Sequence, residues 1–336
     1  DNFFVRGYVV ADDAGDSYDM VFTGININRA WKDDNTWFGE YVGGYALATL
    51  AGASNEAAHA AGLATAQTGR FEPGTAEFQA AFDKSVQDPN LSTGSKFQDA
   101  SKYYHADANY NFSHLIDFAD IQIGGSFRRY NLNSSGTIYT DSDGPIAYNE
   151  AGIYTQIQES FEMSDEASLK LTGSVRYDKS ELYEGFFSPR LSAAYFLNRN
   201  HNLRFSLQTG FRNPTTQDLF IGLDAGRAIL VGSAADNLDR YSRNFAVSGT
   251  AQSLYGQPAT ITQTGRAAYE NSYTASSVAA LAATGNPGVL QVSNPDLVKP
   301  EQVTSMEVGY RGKIGSVTLD MSAYYNQYSD FISGEN

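Results

Sequence analysis

FSPRLSAAYFLNRNHNLRFSLQTGFRNPTTQDLF, residues 187–220, holds two runs of alternating side chains around a short polar turn. In the first run Leu191, Ala193, Tyr195 and Leu197 share a face. In the second, Leu203, Phe205, Leu207, Thr209 and Phe211 oppose Arg204, Ser206, Gln208, Gly210 and Arg212. A period of two is the signature of strands, whose successive side chains point to opposite faces. Asn198-Arg199-Asn200 is short enough for an antiparallel hairpin. Asn213-Pro214 ends the second strand, because proline brings no N–H to the ladder. One apolar and one polar face suit a soluble sheet with one wet side, or a membrane barrel with lipid outside.

The same period recurs on both sides of this hairpin, at 3–10, 103–112, 118–130, 150–161, 167–178, 303–313 and 317–328, giving about nine strands. Several approach the ~9–11 residues a tilted strand needs to cross a bilayer. Short turns (113–118, 162–166, 198–200, 313–316) alternate with longer connections (11–100, 131–149, 179–186, 213–301). In an up-and-down sheet all the long connections then leave from one end, the asymmetry of outer-membrane barrels. The expected fold is all-β: part of a large antiparallel transmembrane β-barrel with very long extracellular loops. The faces also pass a charge test. Lys170, Arg176, Arg204, Glu307, Arg311 and Asp320 fall on the polar face, and Arg190 shares the parity of Ser192. Only Arg129 and Glu159 break the apolar face, both near strand ends. A mid-bilayer Arg or Lys facing lipid would cost about 2–4 kcal/mol.

The two long insertions, 11–100 and 213–301, lose the period of two. Alanine-rich 45–66 reads as helix, and so does 75–86 after Pro73-Gly74, with Asp88-Pro89 as a stop. Insertions of this length are functional or embedded small domains. A formal charge of −15 argues against nucleic acid, which needs a basic footprint. The absence of cysteine excludes disulfides, thiolate metal sites and a cysteine nucleophile. No run of eighteen apolar residues is present, so no helical span is expected, which does not bear on a barrel.

Five segments resemble the mid-to-late barrel of TonB-dependent outer-membrane receptors, with a flavour of those from the Bacteroidota. They are Phe187-Ser188-Pro189-Arg190-Leu191-Ser192, the Leu203–Phe211 strand, and Gly210-Phe211-Arg212-Asn213-Pro214-Thr215. The others are Asn294-Pro295-Asp296-Leu297-Val298-Lys299-Pro300-Glu301 followed by Glu307-Val308-Gly309-Tyr310, and Ala323-Tyr324-Tyr325-Asn326 ending in Asp330-Phe331-Ile332. Clear likeness covers 165–230 and 290–332. The resemblance implies a barrel of about 22 strands filled by an N-terminal plug. It implies energy coupling to TonB through a box in the plug, and a siderophore, haem, cobalamin, glycan or peptide as cargo. On this expectation the 336 residues are a partial barrel, with plug and terminal strands outside them. The function expected is import of a solute by a TonB-coupled conformational change. The alternative is a receptor-like barrel acting as a subunit of a larger outer-membrane complex, its loops binding a surface lipoprotein or other subunits. A soluble secreted sandwich is a third reading.

Candidate ligand residues are Trp31, Trp37 and Tyr41 in the first insertion, Arg212 at the strand end, and Arg227 and Arg240 in the second insertion. The aromatics suit either a binding surface or the small core of a folded insertion. Lys170, Arg176, Arg190, Arg204, Glu307 and Arg311 are candidates to face the lumen or plug. The arginines either pair within the barrel or attract an anionic cargo. His59, His105, His114 and His201 show no metal-ligand spacing. Asp12, Asp13, Asp16 and Asp19, and Asp141-Ser142-Asp143-Gly144, are weak calcium candidates without the spacing of a calcium loop. No cofactor and no catalytic constellation is expected, so the chain does not read as an enzyme.

Overall fold

A computed structural model describes the chain except for residues 1, 15–16, 92, 225–228, 294 and 333–336. Nine strands form one antiparallel sheet in which each strand pairs with its neighbours in sequence. They are β1 (Phe3–Ala11), β2 (Lys102–Asn111), β3 (Asp120–Leu132), β4 (Ile146–Ser164), β5 (Ala167–Ser180), β6 (Phe186–Leu197), β7 (His201–Arg212), β8 (Glu301–Ile314) and β9 (Val317–Ser329). The sheet is open, with β1 and β9 at its edges. The expected alternation of connections holds: 112–119, 165–166, 198–200 and 315–316 lie at one end, and both insertions lie at the other.

Register keeps the two faces separate across the whole sheet. Leu171 pairs with Ala193, Ala193 with Phe205 and Phe205 with Val308, an unbroken apolar row. A shift of one residue in any pair would bring a polar row onto this face. Ile153, Leu191, Leu203, Val308 and Met321 on this face are exposed, Ile153 at 58%. Aromatics mark both ends of it, with Tyr104, Tyr177 and Phe187 toward the insertions and Tyr110, Tyr195 and Tyr310 toward the short turns. Tyr177 and Phe187 lie 4.8 Å apart, and Tyr310 shares a 2.7 Å hydrogen bond with the His201 imidazole. Such rings suit the two interfaces of a bilayer.

Two expected loops are too long: that at 179–186 shrinks to 181–185, and that at 131–149 is shorter because β3 runs to Leu132 and β4 begins at Ile146. Ile146 and Tyr148 are drawn into a compact core above the sheet, which extends the ladder. That core gathers Leu132, Tyr139, Ile146, Tyr148, Leu219, Phe220 and Ala234. It knits three connections into one rim. Tyr139 bridges Ile221, the Thr140 N–H donates to the Phe220 carbonyl (3.0 Å), and the Ala100 N–H donates to the Asn133 carbonyl (2.8 Å). Asn237, fully buried, donates to the Gly232 carbonyl at 2.8 Å and the Ile221 carbonyl at 3.2 Å, and accepts from the Thr140 hydroxyl. Asn237→Ala strips partners from buried polar groups and is expected to cost about 1–3 kcal/mol of local stability. Faster amide exchange at 219–237 measures it.

The first insertion is a helical unit on a two-strand neck, where Ser17–Tyr18 pairs with Lys96–Phe97. Its helices are α1 (Met20–Trp31), α2 (Asp34–Leu50), α3 (Asn55–Ala66) and α4 (Ala76–Gln87). Each begins at a side-chain cap: Asp19, Asp33, Ser54 and Thr75 accept from backbone N–H groups of the first turn. Helix was expected at 45–66 as one run. It is two helices, broken where Gly52 takes φ +85°, and helix also covers 20–31 and 34–44. At Gly62 an added Cβ would stand 2.7 Å from the Tyr41 carbonyl oxygen, so a glycine lets α2 and α3 approach closely. The second insertion, expected to lack strands, carries two hairpins, Gly222–Asp224 with Ile229–Val231 and Ser242–Ala246 with Thr260–Thr264. Five short helices accompany them, from Thr216–Phe220 to Ala275–Thr284.

Candidate functional site

The polar face of the sheet cups a basin of about 760 Å³ at its insertion end. Strand alternation positions its walls. Register carries one row from Arg6 through Asp107, Ser126 and Gly152 to Asp178, and another from His105 through Arg128 and Glu150 to Ser180. Residues 213–216 roof it. The Asn213 amide donates to Glu150 Oε1 at 2.6 Å, although β4 and β7 are separated by β5 and β6. Beyond it, Thr216 shares a hydrogen bond with the Tyr139 hydroxyl (3.2 Å), and Phe220 sits 5.8 Å from the Tyr148 ring.

Charge in the basin is locally neutralised. Arg176 donates twice to Asp178, at 2.6 Å each, and once to Ser126 at 3.0 Å. Arg6 Nε lies 2.8 Å from Asp107, which also meets His105 Nε2 at 2.8 Å. Arg128 stands 3.6 Å from Glu150, Lys179 3.8 Å from Glu184, and Arg212 2.8 Å from Glu301. A ladder of rings crosses the strands beside these pairs: Tyr8 to Tyr103 at 6.0 Å, Tyr103 to Tyr130 at 5.1 Å, and Tyr130 stacked on Tyr148 at 4.6 Å. Tyr154 accepts from the Asn109 amide at 2.6 Å and lies under the Arg176 guanidinium.

Gly152 makes the Arg176–Asp178 pair possible. A Cβ there would stand 2.2 Å from Asp178 Oδ1 and 2.4 Å from an Arg176 nitrogen. Gly152→Ala is therefore expected to push the pair off the sheet at a cost of about 1–3 kcal/mol. A double-mutant cycle between positions 176 and 178, repeated with alanine at 152, would show the coupling shrink.

The residues singled out from sequence fall in separate places. Arg176 and Arg212 line the basin. Lys170, Arg190, Arg204, Glu307 and Arg311 lie on the same face of the sheet, Lys170, Arg204 and Arg311 nearer the short turns and Arg190 and Glu307 toward mid-sheet. Arg204 binds Asp320 at 2.8 Å, while Lys170 and Arg190 have no carboxylate partner among the described residues. Trp31 and Trp37 line a separate cleft of about 260 Å³ in the helical unit, with Lys32, Phe38 and Arg70. Tyr41 stacks on Trp37 at 5.4 Å. Arg240 pairs with Asp236 in the second insertion, away from the basin, and Arg227 lies outside the described residues. Two of the acidic candidates serve as local hydrogen-bond acceptors. Asp19 caps α1 (Phe22 N–H, 2.8 Å), and Asp141 accepts from the Gly136 N–H (2.7 Å) and the Ser134 hydroxyl (2.6 Å). Asp16 lies outside the described residues. Among those described, no three His, Asp or Glu side chains converge as a metal site would require.

Sequence reading set Arg128 and Tyr154 on the polar side of their strands but singled out none of Arg6, His105, Asp107, Arg128, Glu150 and Tyr154 as lining a site. Extending the inward parity of 187–212 back through β4, β3, β2 and β1 would have found all six, since register carries it unbroken.

An in-order meander with an apolar outer face, a polar inner face and all large connections at one end is the wall of a membrane-spanning β-barrel. The chain belongs to the TonB-dependent receptor-like β-barrel family, whose family model matches residues 2–335. Receptors of this family are outer-membrane proteins. The vitamin B12 transporter BtuB of Vibrio vulnificus (strain CMCP6) is 20% identical over 212 residues, 63% of this chain and 22% of that protein. Among solved structures, the siderophore receptor PirA of Pseudomonas aeruginosa is similar at 13% identity and TM-score 0.41, covering 69% of this chain and 33% of that one. A mutant of the ferric enterobactin receptor PfeA of Pseudomonas aeruginosa is similar at 15% identity and TM-score 0.42, covering 72% and 28%. The chain thus spans about a third or less of the length of these relatives.

Proposed function

We propose that this chain is the middle-to-late wall of an outer-membrane receptor that imports a solute by TonB-coupled conformational change. The insertions face the exterior. The observation that carries this reading is the basin: it opens on the polar face, at the end where both insertions emerge, under the roof of 213–216. A solute held there meets the barrel interior. Lys170, Arg190, Arg204, Glu307 and Arg311, lower on the same face, then line the lumen opposite a plug carried elsewhere in the polypeptide, and TonB engages that plug. In this reading the chain binds and passes its solute and performs no covalent chemistry. The test is solute uptake by cells carrying the full-length receptor. Uptake that vanishes when either the receptor or TonB is deleted supports the reading, and uptake indifferent to TonB refutes it.

A second reading, a subunit of a larger outer-membrane assembly, is favoured by α2. Phe38, Val42, Leu47 and Leu50 are exposed on it, Leu50 at 85%, and Gly39 and Gly43 have open space beside them. Apolar side chains this exposed on one helix suit a protein partner. Mild-detergent extraction that retains a second protein, lost on Val42→Glu with Leu50→Glu, supports it.

A further inference from the structure

We propose that the basin takes an uncharged, hydroxyl-rich solute of the oligosaccharide class rather than an anion; this rests on the import reading above.

Five cations reach the basin, and three of them touch a carboxylate: Arg176 with Asp178 at 2.6 Å, and Arg6 with Asp107 and Arg212 with Glu301 at 2.8 Å; Arg128 and Lys179 stand 3.6 Å from Glu150 and 3.8 Å from Glu184. At the three close pairs an anion would have to displace the partner, and at all five a carboxylate stands near enough to repel it. At Arg176 the exchange is hardest, because the guanidinium fork is engaged by both Asp178 oxygens and Ser126. A hydroxyl faces no such contest. It donates and accepts at once, so it can bridge a carboxylate oxygen and an adjacent guanidinium N–H without parting them. The other groups offered by the basin are also those of neutral recognition. They are the rings of Tyr130 and Tyr154, the hydroxyls of Ser126, Ser188 and Thr215, and the Asn213 amide.

The surroundings point the same way. The insertion at 12–101 that stands at the mouth carries more Asp and Glu than Lys and Arg, within a chain of formal charge −15. A negative field there lowers the local concentration of polyanions and leaves neutral solutes unaffected. Lys170, Arg190 and Lys313, inner-face cations without a carboxylate partner among the described residues, do not line the basin.

The test uses cells expressing the full-length receptor and two probes, a pool of neutral oligosaccharides from partly hydrolysed polysaccharide and a ferric tris-catecholate. Receptor- and TonB-dependent depletion of the neutral pool, with the chelate untouched, is the expected result. TonB-dependent depletion of the chelate would overturn the assignment while leaving import intact. Depletion of neither pool counts against the import reading, and the assignment falls with it. On the purified receptor, Asp178→Asn with Glu150→Gln frees Arg176 and Arg128. It is expected to raise affinity for the ferric tris-catecholate at least tenfold, with the gain shrinking as salt rises. An unchanged affinity would show that the pairs do not gate anion binding.

Discussion

Phe220→Ala is expected to destabilise the rim by about 3–5 kcal/mol, the range for truncating a buried phenylalanine. Phe220 is 1% exposed and Leu219 beside it 2%. They enter a core whose other members come from 132–148 and Ala234, so the side chain holds two connections together. The loss falls on the rim rather than on the barrel, because the ladders below share no side chain with this core beyond the ends of β3 and β4. A fall of 3 kcal/mol corresponds to roughly a hundredfold larger open population. Limited proteolysis of the full-length receptor should therefore cut 213–238 about a hundred times faster, while heat-modifiable migration of the barrel stays unchanged. Asn213 should then lose its hold on Glu150, since the capping box of Thr215 and Asp218 fixes only the local turn and the Phe220 ring fixes where that turn sits. Cleavage unchanged from the unmodified receptor would mean the core does not restrain the roof.

The strands were legible because their signal is local. Alternation in 187–212 is visible residue by residue, and pairing only confirms it. The alternation of short and long connections was legible for the same reason. The insertions were not, because their structure depends on packing. Helix α2 contains Gly39, Gly43 and Gly44, and its apolar residues are spread around its circumference, so it has no helical stripe to read. Its start depends on the Asp33 cap and its position on the close approach at Gly62. The basin was half legible. Parity identified Arg176 and Arg212 as facing inward, but their partners lie at Asp178 on the same strand and at Glu301 across an insertion. Choosing between paired arginines and an anion trap needed those partners: alternation alone sets Asp178 beside Arg176, but only the register brings Glu301 to Arg212.

Leu207→Arg compared with Ser206→Arg tests which face meets lipid, and the two should differ by about 2–4 kcal/mol. Leu207 lies in the middle of β7, between Leu191 of β6 and Met306 of β8, at the centre of the apolar face. An arginine there cannot reach either interface without distorting the bilayer, so it bears the mid-membrane cost. Ser206, one residue away, points to the other face, between Ser192 and Glu307. An arginine there gains a cross-strand carboxylate, an effect of about 0.2–1 kcal/mol. Reversible unfolding of the full-length receptor from lipid vesicles in denaturant measures both. On the barrel reading Leu207→Arg loses stability and Ser206→Arg holds it. In a soluble sheet with its polar face wet, Leu207 would belong to a buried core, and detergent or lipid would be irrelevant to folding. The variant at 207 would then unfold equally in water and in vesicles. In a sheet with both faces wet, neither arginine would matter, since exposed substitutions usually stay within about 0.5 kcal/mol. Only lipid on the Leu207 side makes the penalty depend on the bilayer. Thinner membranes should then reduce it, because a shorter path lets the guanidinium reach phosphate and water.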